Sequence, residues 1–458
     1  MPNKILRDFI HDPIKILMHI AYTYGDMAHF NFGRQHVYLI NNPYHIEDIL
    51  IRNYKNFIKS RGLQVAKRLL GEGLVTSEGG YHDRQRKIIQ PAFHPNLIKK
   101  YGEIMSTYAD NLCQRWEDGS TLDIHKEMIK VTSAIISKAV LGYDIKSEEG
   151  DEVGIALLTC AEYFNRLLTP FGGLIGKIPV LRVNKDFQRA KKKLDSIVYK
   201  MIKEHRNNEE NKAEISYEHT DLLYTLLQAQ DAEAGIGRMS DSQLRDEVMT
   251  IFLAGHETTA NALTWTFYLL SQNSTVEAKL YDELCRVLGG RYDDKDCVEG
   301  SKGKKRIPTF KDVSKLEYTE KVFRESMRLY PPAWTLGRQV INDYKVDKYV
   351  IPGGSIILMS QYVMHRNPLY FPDPDRFYPD RWTKEAKLHL PRFSYFPFGG
   401  GIRGCVGESF AWMEGILLIA TFCHQWKMNH DTNHKVELKP LITLRPKYGM
   451  HMKLERRK

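Results

Sequence analysis

The chain has 458 residues, a formal net charge of +10, 42% hydrophobic and 27% charged residues. That balance permits a large core and excludes general disorder, and no run approaches the roughly 18 consecutive apolar residues of a membrane span, so no transmembrane anchor is expected. The basic clusters Lys191-Lys192-Lys193, Lys304-Lys305-Arg306 and Arg456-Arg457-Lys458 lack interleaved aromatics, which excludes a nucleic-acid site and leaves a solvated surface or an attraction for an acidic electron-delivering protein.

Met1 to Asp12 carries Lys4, Arg7 and Asp8 without an apolar h-region, so it predicts no signal peptide and a cytoplasmic chain. Ala28 to Phe32, Gly33-Arg34 and Gln35 to Ile40 predict a hairpin, and Pro43 to Phe57 a helix after it. Helical patterns then dominate through Leu288. The polar segments Asn207 to Glu218 and Gly289 to Arg306 predict surface loops. Strand patterns return at Lys345 to Ile351 and Ser355 to Met359. No internal repeat or Pro/Ser-rich linker divides the chain, so residues 1–458 are expected to form one mainly α domain. Its minor β portion would lie at about 28–42 and 339–360.

Ser240-Asp241-Ser242-Gln243 matches a capping box. The helical pattern after it runs without proline to about Ser271, or roughly 45 Å at 1.5 Å per residue. Its centre reads Ala254-Gly255-His256-Glu257-Thr258-Thr259. A central glycine costs about 1 kcal/mol relative to alanine, and adjacent threonines restrict side chains further. Thr258 can bond back to the Ala254 carbonyl and bend the helix. Such a defect at the centre of a core helix is either tolerated packing or a device of function.

Six cysteines form no C-x-x-C pair, which argues against zinc ribbons and disulfide frameworks. Cys405 alone has an unusual context, between Gly404 and Gly407 just before an apolar helix. A helix start favours thiolate, and the glycines leave room for a flat ligand. Arg403 offers that ligand's carboxylate a permanent cation. A buried cysteine in a glycine turn is the plainer alternative.

The window Phe398 to Gly407, Phe-x-x-Gly-x-Arg-x-Cys-x-Gly, resembles the haem-binding loop of the cytochrome P-450 family. Ala254 to Thr259 is similar to that family's Ala/Gly-Gly-x-Asp/Glu-Thr-Thr segment. The resemblance implies the cytochrome P-450 fold, heme b between the central helix and the helix after Cys405, and Cys405 as iron ligand. It implies further that Ala254 and Gly255 line the oxygen groove, with Phe398, Arg403 and Gly407 contributing to the haem site. Thr258 would supply a hydroxyl in the groove and Glu257 would relay protons. Glu325 and Arg328, with Arg381 in Phe377 to Trp382, resemble the family's structural charge triad. His82 and Arg86 resemble a motif usually written Trp-x-x-x-Arg, with His82 in the tryptophan's place, and Arg338 matches a further propionate contact. These motifs occur in the family's order from His82 to Gly407.

The activity implied is that of a monooxygenase acting with dioxygen on an apolar small molecule such as a fatty acid or terpenoid. Electrons would come from a ferredoxin or flavodoxin-type donor with its reductase, and the chain is expected to be a monomer. A peroxide-driven hydroxylase or isomerase, and a non-catalytic haem sensor, are the alternatives. The expected pocket walls are the segment from Phe57 to Gly80, Tyr163 to Leu181, Ile251 to Ala254, Ala333 to Leu336 and Leu441 to Thr443. Phe164, Leu167, Leu168, Phe171 and Trp334 supply its apolar bulk.

Overall fold

The computed structural model describes residues 9, 11–145, 147–167, 176, 178–210, 221–228, 230–231, 236–290 and 306–457. Leu168, Phe171, the tract 211–218 and the tract 291–305 lie outside the described residues. Capping chemistry starts the helices. Asp12 accepts from the Lys15 amide ahead of α1 (Pro13–Tyr24), and Asn42 from the Tyr44 and His45 amides ahead of α2 (Pro43–Glu47). Each has proline in its first turn, where the missing N–H costs nothing. Next come α3 (Arg61–Leu70), α4 (Gly79–Ile89), α5 (Pro95–Cys113), α6 (Ile124–Leu141), α7 (Ser147–Leu167), α8 (Arg182–Glu210) and α9 (Leu222–Gln228). The Ser240 capping box is present, and α10 runs unbroken over Asp241–Gln272. It is followed by α11 (Ser274–Leu288), α12 (Glu317–Leu329), α13 (Gln361–Met364), α14 (Lys384–His389) and α15 (Glu408–Gln425). Buried along most of its length, α10 packs on α6, α8, α12 and α15. No helix among the described residues is long and apolar enough to cross a membrane.

Strands β1 (Met27–Phe32) and β2 (Gln35–Ile40) form the expected hairpin, and the remaining strands are β3 (Phe57–Lys59), β4 (Thr121–Asp123), β5 (Gln230–Asp231), β6 (Ile236–Arg238), β7 (Leu336–Val340), β8 (Tyr344–Val346), β9 (Tyr349–Ile351), β10 (Ile356–Met359), β11 (Trp426–His430), β12 (Leu438–Pro440), β13 (Leu444–Pro446) and β14 (His451–Arg456). The main sheet has the order β1-β2-β10-β7-β3, and a second sheet the order β11-β14-β4. Antiparallel register in the main sheet sets Lys59 opposite Arg338. The β content therefore extends well outside 28–42 and 339–360.

Two expected elements are divided. The helix over Pro43 to Phe57 becomes α2, a π turn at Asp48–Arg52 and a short 3-10 turn at Tyr54–Asn56, because Phe57 leaves to pair with Val340. The strand over Lys345 to Ile351 is a hairpin of β8 and β9, turned at Asp347 with φ of 50°.

Candidate active site

Backbone geometry shapes the cysteine loop. Gly399 and Gly401 adopt φ of 70° and 69°, in the left-handed region that favours glycine. A Cβ on Gly401 would fall 2.2 Å from the Leu50 carbonyl oxygen, so the π turn and this loop can meet only through glycine. The Cys405 amide donates to the Phe398 carbonyl at 3.0 Å, closing the loop. The Phe398 ring packs against Trp412 with centroids 5.9 Å apart. Arg86 donates from Nη1 to the Gly404 carbonyl at 2.7 Å, so its guanidinium braces the loop. Helix α15 begins at Glu408, after Cys405 rather than at it.

Solvent reaches Cys405, yet protein crowds the thiol closely enough that burial pushes it up to about 11, against a hydrogen bond from the Gly407 amide. The helix start therefore does not by itself yield a thiolate. A metal ligated by this sulfur would take the proton's place.

At the centre of α10, Thr258 donates to the Ala254 carbonyl at 2.7 Å. Ala254 is exposed and Gly255 and Thr258 are half-buried, whereas Ile251, Phe252, His256, Glu257 and Thr259 are buried. Ala254 and Thr258, one turn apart, therefore lie on the least buried face of this part of the core helix. Gly255 meets a different demand: a Cβ there would fall 2.8 Å from the Ile136 side chain of α6. Glu257 accepts from the Thr443 hydroxyl at 2.7 Å and lies 3.7 Å from Arg445 Nη1.

A group the sequence did not reveal stands at the edge of the main sheet. Lys59 is 5% exposed and donates from Nζ to the carbonyls of Leu74 and Ser77 at 3.1 and 2.7 Å. Burial, then Arg403 and Arg338, pull its ammonium down to about 7. Arg338 is 7% exposed, and among the described residues its guanidinium finds one acceptor, the Gly337 carbonyl at 3.0 Å. Burial and Arg403 lower it to about 10. Arg403 pairs with Glu78 and donates to the Ser77 carbonyl at 3.1 Å. His82 is 2% exposed, and burial holds its imidazole below the usual range. Among the described residues, Glu78 pairs with Arg403, while neither Lys59 Nζ nor the Arg338 guanidinium forms an ion pair of its own. Like charges directly opposite on paired strands repel, and an unpaired buried charge is costly.

The charge triad is built differently. Arg328 donates from Nε and Nη2 to the two Glu325 oxygens, each at 2.9 Å, and Arg381 Nε reaches Glu325 at 2.9 Å. Trp382 Nε1 and the Tyr378 amide also donate to this carboxylate, at 2.9 and 3.0 Å. The remaining Arg328 donors meet the His365, Pro374 and Arg376 carbonyls.

These features fit haem b. A flat dianion would neutralise the excess of Lys59 and Arg338. Among the described residues no group of three or more His, Cys, Asp or Glu side chains could hold a metal, so iron bound at Cys405 would have to bring its other ligands with it. A surface cavity of about 320 Å³ beside Phe371, Arg381 and Trp382 borders the charge triad and shares no residue with the cysteine loop or the Lys59 cluster. Of the expected pocket residues, Phe164 packs on Phe187 with centroids 5.7 Å apart. Trp334 lies in the core over the β1–β2 hairpin and donates to the Leu441 carbonyl at 2.9 Å. Both serve packing.

The family model described as cytochrome P450 matches residues 5–453. Cyclooctatin synthase of Streptomyces melanosporofaciens is 34% identical over 432 residues, 94% of this chain and 89% of that protein. Cyclooctat-9-en-7-ol 5-monooxygenase of the same organism is 33% identical over 91% of this chain and 85% of its own length. Pentalenene oxygenase of Streptomyces avermitilis is 28% identical over 92% of this chain and 88% of its own.

Proposed function

The chain belongs to the cytochrome P450 family and is a haem b monooxygenase, and from that premise we propose that it oxygenates an apolar polycyclic substrate of the terpenoid class. The observation that carries this reading is full-length similarity to proteins named for cyclooctatin, for the 5-monooxygenation of cyclooctat-9-en-7-ol and for the oxygenation of pentalenene. Those names describe cyclic alkenes and alcohols, which bind by apolar contact with few polar anchors.

Haem supplies the activation of dioxygen and the electron transfer that side chains cannot perform. The chain's own residues supply the rest. Cys405 would give up its proton to ligate iron, and Arg86, through the Gly404 carbonyl, would hold the loop that presents the sulfur. Lys59, Arg338, Arg403 and His82 would hold the carboxylates. Ala254 offers the oxygen side of the site a small surface. Thr258 would place its hydroxyl there, and Glu257 would carry a proton toward it on a carboxylate oxygen. Glu325, Arg328 and Arg381 maintain the fold. Electrons would come from a separate ferredoxin or flavodoxin-type protein with its reductase, to a single-domain, monomeric enzyme of the cytoplasm.

The test is a titration of the purified holoprotein with cyclic terpenoid hydrocarbons and alcohols beside long-chain fatty acids, read as the spin-state change in haem absorbance. Cyclic terpenoids should shift the spectrum at lower concentration and yield products one oxygen heavier. A response confined to fatty acids would overturn the assignment.

A further inference from the structure

Behind Glu257 lies a buried row of polar side chains drawn from three separate parts of the chain. Thr443, in the turn between β12 and β13, donates to Glu257 Oε1 at 2.7 Å, and Asn261 Nδ2 lies 3.2 Å from the Thr443 hydroxyl. His125, in the first turn of α6, sets Nε2 at 2.9 Å from Asn261 Oδ1. Asn261 is 0% exposed, His125 3%, Thr443 6% and Glu257 8%.

The direction of these bonds follows from what each group can do. A carboxylate only accepts, and Arg445 Nη1 lies 3.7 Å from the same oxygen. Thr443 has one proton, which it gives to Glu257, so it must accept from its other neighbour. Only the amide NH2 of Asn261 can donate there. The Asn261 carbonyl then faces His125, whose Nε2 must carry the imidazole proton. Burial and the Arg445 guanidinium keep His125 neutral, well below the ordinary histidine range. Every donor in the row therefore points toward Glu257. A side-chain amide neither gains nor loses a proton near neutral pH, so the row anchors the carboxylate and does not conduct protons away from it.

We propose that Thr443 is a positioning residue which, backed by Asn261 and His125, clamps the Glu257 carboxylate toward the β12–β13 hairpin, so that Glu257 carries a proton only by leaving this clamp. The inference rests on reading Glu257 as the proton carrier. The clamp stands on the segment Leu441 to Thr443 that borders the expected substrate pocket. The same hairpin is tied down by Trp334 Nε1 on the Leu441 carbonyl and Trp265 Nε1 on the Leu444 carbonyl, at 2.9 and 3.0 Å.

The first measurement is nitrogen NMR of holoprotein labelled with 15N-histidine, in its diamagnetic ferrous carbon monoxide complex, with His125 identified by its loss in His125→Gln. A neutral ring protonated at Nε2 is expected across neutral pH, moving in Thr443→Val and returning in Thr443→Ser. A ring protonated at Nδ1 alone would overturn the clamp. The second measurement is product formed per electron pair, using a surrogate ferredoxin and its reductase. A hydrogen bond to a charged group shifts a two-position equilibrium by about tenfold or more, so Thr443→Val, by freeing Glu257, should change coupling markedly from the wild-type value, and Thr443→Ser should restore it. Unchanged coupling in Thr443→Val beside altered coupling in Glu257→Gln would overturn the role of Thr443. Unchanged coupling in Glu257→Gln would instead overturn the carrier reading, while the NMR still decides the geometry.

Discussion

Arg328 and Arg338 leave neighbouring stretches of chain, at the end of α12 and in β7, and both are buried, at 0% and 7% exposure. Their surroundings are opposite. Arg328 is ringed by acceptors, with both oxygens of Glu325 and the carbonyls of His365, Pro374 and Arg376 using its donors. Arg338 faces Lys59 across the sheet, has Arg403 nearby, and finds a single carbonyl. The first cluster is complete without a ligand, and the second is a standing electrostatic debt that a dianion removes. Burial of arginine alone therefore does not separate folding from binding. What separates them is whether the acceptors are already present.

The largest effect should come from breaking the closed cluster. Arg328→Ala leaves Glu325 buried with Arg381 as its one remaining cationic partner, and removal of one partner of a buried pair costs roughly 3 to 5 kcal/mol. Denaturant unfolding should show a loss of that size, and the purified variant should carry little or no haem. A soluble Arg328→Ala protein with full haem content would break the contrast.

In the open cluster the signs should divide. Lys59→Met relieves repulsion in the haem-free protein, so its unfolding midpoint should rise while haem retention falls. Arg328→Ala should lower both. The pH dependence sharpens the test. With the folded Lys59 ammonium at about 7 and the ordinary value at 10.5, the unfolded chain binds more protons between those values. Haem-free stability should then rise with pH across that window. Two carboxylates beside Lys59 would return its pKa toward the ordinary range and flatten the rise in the holoprotein. Parallel denaturation series on the two forms check this, and identical slopes would remove Lys59 from the haem site.

The same division explains what the sequence revealed. The cysteine loop, the Ser240 capping box, the threonine pair in α10 and the Glu325–Arg328 spacing are local patterns whose physics acts within a few residues. They were legible for that reason. Lys59 carries no local signal, since a lysine in a three-residue strand looks like any surface lysine until register sets it opposite Arg338. Arg86 was legible as a cation but not as a brace on Gly404, because its target lies across the fold. Gly255 read as an opening toward the oxygen groove, whereas its missing side chain also makes room for Ile136. The π turn at Asp48–Arg52 answers the approach of Gly401, which nothing near position 48 announces. His125, Asn261 and Thr443 were invisible as a group, being joined only by tertiary contact.

The smallest expected effect concerns a buried acid that neither arginine cluster touches. Glu414 in α15 is 0% exposed, and among the described residues neither carboxyl oxygen meets a partner in good hydrogen-bond geometry. Burial pushes it up to about 8, against an opposing pull from the nearby Thr259 hydroxyl. At neutral pH it is therefore mainly the neutral acid, for which glutamine is close in shape. Glu414→Gln should change stability near pH 7 by no more than about 1 kcal/mol, far below the loss in Arg328→Ala. Because the folded protein holds this proton where the unfolded chain has released it, wild-type stability should decline as pH rises from about 4.5 to about 8. That component of the decline should be absent from Glu414→Gln, and denaturant midpoints taken across the window decide it. Identical pH slopes in the two proteins would mean that Glu414 is already ionised in the folded protein, so that buried charge is not confined to the two arginine clusters.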